Sequence, residues 1–134
     1  VCMGYASRSH DLSLDDELNG ELKTGDIAVI DEENFITIIG RKKRFIKLKG
    51  ISVNLDYVES ILNSHLIKSF VIGKDDKLLI VIENNKMSEH EDTVKNIIKD
   101  NFNFHSSLVS IYEDELTNLS SGKPDYKSLS DKYL

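Results

Sequence analysis

Eleven consecutive residues, Gly40-Arg41-Lys42-Lys43-Arg44-Phe45-Ile46-Lys47-Leu48-Lys49-Gly50, hold six basic side chains in a chain of formal net charge -6. Only eleven basic residues remain elsewhere to face 23 acidic ones, so positive charge is gathered at one place. Basic side chains hold phosphate oxygens by charge-assisted hydrogen bonds, and arginine can do so through two parallel ones. From Arg44 onward the pattern alternates, which predicts a strand with apolar residues toward a core and basic ones toward solvent or an anion. A glycine at each end suits a backbone that turns or approaches something closely. The plainer reading is a solvated strand whose lysines blunt a sheet edge.

Two shorter patterns place one functional side chain beside a glycine. They are Thr24-Gly25-Asp26 and Ser121-Gly122-Lys123. Taken alone, Asp26 simply ends a turn and Lys123 is an ordinary exposed lysine. His10, His65, His90 and His105 are scattered and join no Cys or acidic cluster at metal-ligand spacing, so no metal site is predicted. Cys2 has no basic pair or helix terminus to activate it, and Ser120 and Ser121 lack a nucleophile-elbow setting.

The elements that must carry these residues follow from pattern. Residues 1 to 19 read as loop, with Asp15, Asp16 and Glu17 grouped together. Asn19-Gly20 is a turn signal. Ile27 to Ile30 and Phe35 to Ile39 are β-rich runs joined by four polar residues, which predicts a hairpin leading into the basic stretch. After Gly50, a short strand at Ile51 to Val53 precedes a helix with Asn54 as N-cap. Leu55, Val58, Ile61 and Leu62 share its inner face, and Val53 with Val58 has staple spacing. A second hairpin is predicted from 70–72 and 78–82 across Gly73-Lys74-Asp75-Asp76. Ser88 with Glu91 reads as a capping box opening a helix that carries Val94, Ile97, Ile98 and Phe102 on one side. Leu108 to Tyr112 reads as a strand, and Ser120-Ser121-Gly122-Lys123 as a flexible turn. Pro124 would then open a last helix, with Tyr126, Leu129 and Tyr133 inward. The expected fold is α+β: a small, mostly antiparallel sheet with helices packed on it, preceded by a β-hairpin.

Composition sets outer bounds. At 134 residues and 40% hydrophobic the chain can bury roughly two-thirds of its unfolded surface without disulfide or metal. One cysteine forms no internal disulfide, which suits a reducing compartment such as the cytoplasm. No apolar run approaches 18 residues and no signal-peptide pattern opens the chain. The acidic balance argues against nucleic acid as main partner. The chain opens on Val1 and not on methionine, which suggests an excised piece of a larger protein.

The three patterns, taken in order and at this spacing, resemble the C-terminal portion of the adenylate-forming (AMP-binding) superfamily: acyl-CoA synthetases, adenylation domains of peptide synthetases, and luciferases. The similarity runs from Gly4-Tyr5 to Leu129. The resemblance implies that residues 1 to 42 are the tail of a large nucleotide-binding domain and 43 to 134 a mobile lid. It implies that Asp26 accepts hydrogen bonds from the ribose hydroxyls of ATP or AMP, and that Arg41 contacts the same nucleotide. Lys43 falls at the hinge between an adenylating and a thioester-forming pose. Lys49 and Gly50 fall where the backbone nears a pantetheine arm in the second pose. Lys123 matches the lysine that neutralises carboxylate and phosphate oxygens during adenylation. Implied partners are the large domain, a carboxylic acid, and coenzyme A or a carrier-protein phosphopantetheine, with magnesium accompanying ATP.

Departures stand beside the matches. The superfamily usually has an acidic residue at Arg44, a basic or amide residue at Ser52, proline at Leu55 and Thr117, glutamate at Tyr57 and an aliphatic residue at Pro124; Glu59 does match. No Ser/Thr/Gly-rich phosphate loop is present, so the fragment by itself is expected to fold, to be inactive, and to bind no cofactor tightly. The rival expectation is a non-catalytic module using basic strand 41–49 to hold a phosphorylated partner or nucleic acid.

Overall fold

The structure, a computed structural model, describes residues 4, 6–13, 15–16, 18–102 and 105–134. Cys2, the Tyr5 of the Gly4-Tyr5 pair and Glu17 lie outside the described residues. Strands β1 (Asp26–Ile30) and β2 (Ile36–Arg41) pair antiparallel, with a bulge at Ile27/Ala28. The Asp31 carboxylate ties their connection by accepting from the backbone N–H of Glu33 and Phe35, both at 2.9 Å.

The basic stretch departs from the single strand expected of it. Lys42–Arg44 form a 3-10 turn, and strand β3 covers only Phe45–Leu48. Its apolar residues do alternate inward, with Ile46 and Leu48 buried and Lys47 exposed. Lys49 and Gly50 have φ of +48° and +86° and join β3 to β4 (Ile51–Asn54) as a two-residue turn. Two successive positive φ values match the twist of a tight hairpin. The run breaks at Arg44 because that side chain is drawn into the interior.

Helix α1 (Leu55–Ser64) starts as expected: the Asn54 side chain accepts from the N–H of Asp56 and Tyr57. It ends on Leu66 in the left-handed region at φ +62°. There Ile67 N–H donates to Leu62 O at 3.1 Å and Leu66 N–H to Asn63 O at 2.9 Å, a paired closure of the last turn. Strands β5 (Ser69–Lys74), β6 (Lys77–Glu83) and β7 (Val109–Asp114) make a three-stranded sheet. β5 and β6 run antiparallel; β6 and β7 run parallel, linked through α2 (Met87–Asn101).

Two helix starts differ from expectation. Helix α2 begins at Met87 without the Ser88 capping box; Glu113 on β7 accepts from the N–H of Lys86 and Met87 instead. The predicted partner Glu91 pairs with Lys95 one turn along. Helix α3 (Tyr126–Tyr133) is capped by Asp125, and Pro124 lies before it, bridged to Asn118. A carboxylate brought in from another strand, or a loop bridge, leaves no local sequence signature.

The sheet separates two apolar clusters. Val71, Leu78, Ile80 and Ile82 pack with Val58 and Leu62 of α1, Val94 and Ile98 of α2, and Ile46, Leu48 and Val53 of the β3–β4 hairpin. Phe70, Ile72, Leu79 and Val81 meet Leu129 of α3, flanked by Tyr112, Tyr126 and Tyr133. Each residue of Leu78 to Ile82 is 0% exposed, which explains the continuous apolar run there. The architecture is α+β, as expected, in three layers: α1 and α2, sheet, α3. Among the described residues no helix is long and apolar enough to cross a membrane.

Candidate active-site residues

Asp26 and Arg41, fifteen positions apart in sequence, are directly paired across β1 and β2. Arg41 Nε lies 2.9 Å from Asp26 Oδ1, and Arg41 Nη1 donates to Thr24 O at 2.9 Å. Thr24 Oγ1 accepts from Asp26 N–H at 3.2 Å, and Lys42 N–H donates to Gly25 O at 2.8 Å. The Thr24-Gly25-Asp26 turn is thereby clipped to the end of β2. Gly25, at φ +76°, makes that turn possible. The Arg41 side chain stays 65% exposed and Asp26 20%. A carboxylate held in orientation and partly reached by solvent suits hydroxyl donors, and the exposed guanidinium beside it suits anionic oxygens.

Lys43 is exposed in the 3-10 turn that joins the two hairpins. Those hairpins touch there: Asn54 Nδ2 donates to Ile39 O at 3.2 Å. Gly40, at φ +154°, is closely packed: a β-carbon there would stand 3.0 Å from the Phe45 ring and 3.1 Å from Asn54 Nδ2.

Lys123 sits apart, exposed on a loop closed by Leu119 N–H to Lys123 O and Gly122 N–H to Leu119 O, both 2.8 Å. Asp125 N–H donates to Thr117 O at 3.1 Å. The Ser-Ser-Gly turn read as flexible is thus a tied loop. The Lys123 ammonium has no hydrogen-bond or ion-pair partner among the described residues. Asp26 and Arg41 form one site; Lys49 with Gly50, and Lys123, are presented on separate turns.

The structure also divides the basic stretch by role. Arg44 is not a phosphate-facing side chain. Its Nε meets Asp56 Oδ1 at 2.5 Å, Nη2 meets Glu59 Oε2 at 3.2 Å, and Nη1 donates to Val71 O at 2.8 Å. Its guanidinium lies 3.9 Å from the centroid of the Tyr126 ring, a cation–π contact. Glu59 completes the cluster, accepting from Val71 N–H at 2.9 Å and from the Tyr126 hydroxyl at 2.8 Å. Burial, with the Glu59 carboxylate beside it, raises the Tyr126 pKa well above its ordinary value. Arg44 and Glu59 thus satisfy the outer edge of β5 as a neighbouring strand would. Sequence reasoning missed this cluster, although the unusual arginine at 44 and the matching Glu59 were its two visible signals.

No family model matches the chain. A long-chain-fatty-acid–CoA ligase of Yersinia pestis is 28% identical over 141 aligned positions, which cover 98% of this chain and 25% of that protein. Another such ligase, from Escherichia coli O6:H1, is 42% identical over 67 positions, covering 48% of this chain and 11% of that protein. The chain is thus similar to part of the acyl–CoA ligases of the adenylate-forming superfamily. Among solved structures, ATP-bound MatB from Rhodopseudomonas palustris superposes with a TM-score of 0.62 over 82% of this chain and 24% of the other. That pair is 19% identical, so its likeness speaks for the fold alone. The chain spans at most 25% of the length of these proteins.

Proposed function

We propose that this chain is the C-terminal part of an ATP-dependent acid ligase that forms an acyl-adenylate and pyrophosphate, then passes the acyl group to a thiol. The observation that carries the reading is the Asp26–Arg41 pair, oriented by Thr24, with Arg41 exposed and Asp26 partly so. In this reading Asp26 receives the ribose hydroxyls and Arg41 contacts ribose or phosphate. Lys123 meets the carboxylate and α-phosphate oxygens as negative charge concentrates there. Its unpartnered ammonium on a glycine turn supports that role. Lys43 is the hinge, and the Lys49–Gly50 turn faces the thiol carrier in the second pose. Magnesium would arrive with the nucleotide, on its phosphate oxygens; among the described residues no three His, Cys, Asp or Glu side chains converge as a metal site.

Residues 1 to 42 are read as the tail of the large domain. The apolar surface of the β1–β2 hairpin supports this, since Val29, Ile30, Phe35, Ile36 and Ile38 are all more than half exposed. A patch of that kind is ordinarily covered by another surface. The acceptor, coenzyme A or a carrier-protein thiol, and the acid follow from the missing part; the names of the relatives favour long-chain fatty acids as the first to try. The rival, a module binding phosphate through strand 41–49, is less well supported. Arg44 and Lys49 each already face a carboxylate of this chain.

The test is ATP–pyrophosphate exchange by the complete enzyme with a panel of carboxylic acids. Lys123→Ala is expected to lower exchange roughly a hundredfold, about 3 kcal/mol of transition-state stabilisation. Exchange indifferent to the substitution would remove Lys123 from the role. If no acid supports exchange, and the chain binds phosphate with a steep dependence on salt, the binding module is the better description.

A further inference from the structure

The β5–β6 connection consists of Asp75 and Asp76, between the paired Lys74 and Lys77. Asp76 stands at φ +64°, a conformation that glycine adopts freely and that costs a residue with a β-carbon. Turn chemistry alone would place glycine there. The carboxylate has a definite task instead.

Both aspartates reach the free edge of β3. Asp76 N–H donates to Lys47 O at 2.8 Å, and Lys47 N–H donates to Asp75 Oδ1 at 3.2 Å. Lys49 N–H donates to Asp76 Oδ1 at 2.6 Å, while the Lys49 ammonium lies 3.8 Å from Asp76 Oδ2. Gly73 permits this approach, because a β-carbon there would stand 2.7 Å from Ile46 Cδ1 and 2.9 Å from Lys77 O. The Lys49–Gly50 turn is therefore held twice, by its own pairing between Leu48 and Ile51 and from outside by Asp76.

We propose that Asp76 is the positioning residue of the Lys49–Gly50 turn, acting in thiol transfer and not in adenylation. This rests on the reading of that turn given above. Asp76 touches no substrate in this account. It sets the φ and the place of Lys49, so that the Gly50 backbone presents one surface to the incoming arm. Its contacts lie on the turn implied in the second half-reaction, and it makes none with Asp26, Arg41 or Lys123.

The experiment uses the complete enzyme with Asp76→Gly and Asp76→Asn, and the acid that gives the fastest exchange. Pyrophosphate exchange reads the first half-reaction; single-turnover acyl transfer to coenzyme A, with pantetheine as a second acceptor, reads the second. Asp76→Gly relieves the turn, so it should melt at or above the wild-type temperature and exchange normally. Its acyl transfer should nevertheless fall about tenfold or more. Asp76→Asn keeps an oxygen acceptor and tolerates positive φ, so it should recover most of that transfer. Transfer unchanged in Asp76→Gly, or transfer and exchange falling together, would overturn the proposal. A wild-type enzyme that exchanges pyrophosphate but acylates neither thiol would sink the reading of Lys49 and Gly50 itself, and this proposal with it.

Discussion

Arg44 illustrates how one side chain can change roles between sequence and structure. Its side chain is 13% exposed and that of Glu59 14%, so neither can be left alone without a buried charge or unpaired polar groups. Arg44→Met should cost about 3 kcal/mol, seen as a lower denaturant midpoint with unchanged slope. Adding Glu59→Gln should return part of that loss, because a neutral amide carries no unpaired charge. An Arg44→Met variant as stable as wild type would mean the cluster contributes nothing net. The exposed pairs are different: Lys68–Glu83, Lys86–Glu89 and Lys95–Glu91 face solvent and are worth little each.

At the scale of elements, most boundaries follow local rules and two do not. Asn54 caps α1 as its sequence announces. Glu113 caps α2 from a strand that follows the helix in the sequence, so no window around Ser88 could reveal it. The end of α1 offers a further check. Leu66 occupies the left-handed position of that closure and is 90% exposed, so its side chain gains little from burial while its backbone carries the strain. Leu66→Gly should therefore raise stability by about 1 kcal/mol in chemical denaturation. A loss of stability on this change would show that the leucine makes contacts that outweigh its backbone cost.

On the scale of the molecule, every buried core residue among the described ones lies between Ile46 and Leu129. The β1–β2 hairpin contributes none; its principal links to the rest are the Asn54–Ile39 hydrogen bond and the approach of Phe45 to Gly40. Removing residues 1–42 should leave a cooperatively folding unit whose melting temperature falls only slightly, measured by calorimetry or circular dichroism. A truncated chain that is molten would place the domain boundary elsewhere. The same asymmetry leaves the hairpin's apolar strands exposed, as expected if residues 1–42 are, in the proposed reading, the tail of a larger domain.

The sequence by itself determined the elements whose signals are local: the β1–β2 hairpin, the Asn54 cap, the inner faces of α1 and α2, and the glycine-flanked Asp26 and Lys123. Periodicity, capping and turn chemistry act over a few residues, so one strand of text is enough to read them. Tertiary structure alone decided which of six neighbouring basic residues turns inward. It also decided that Asp26 meets Arg41, that Glu113 caps α2, and that Asp76 reaches Lys49 across 27 positions. Those outcomes depend on which surfaces the packed sheet brings within hydrogen-bond distance. A charge has no partner until the chain has folded, and its sign alone does not say whether that partner is a ligand or the protein's own carboxylate.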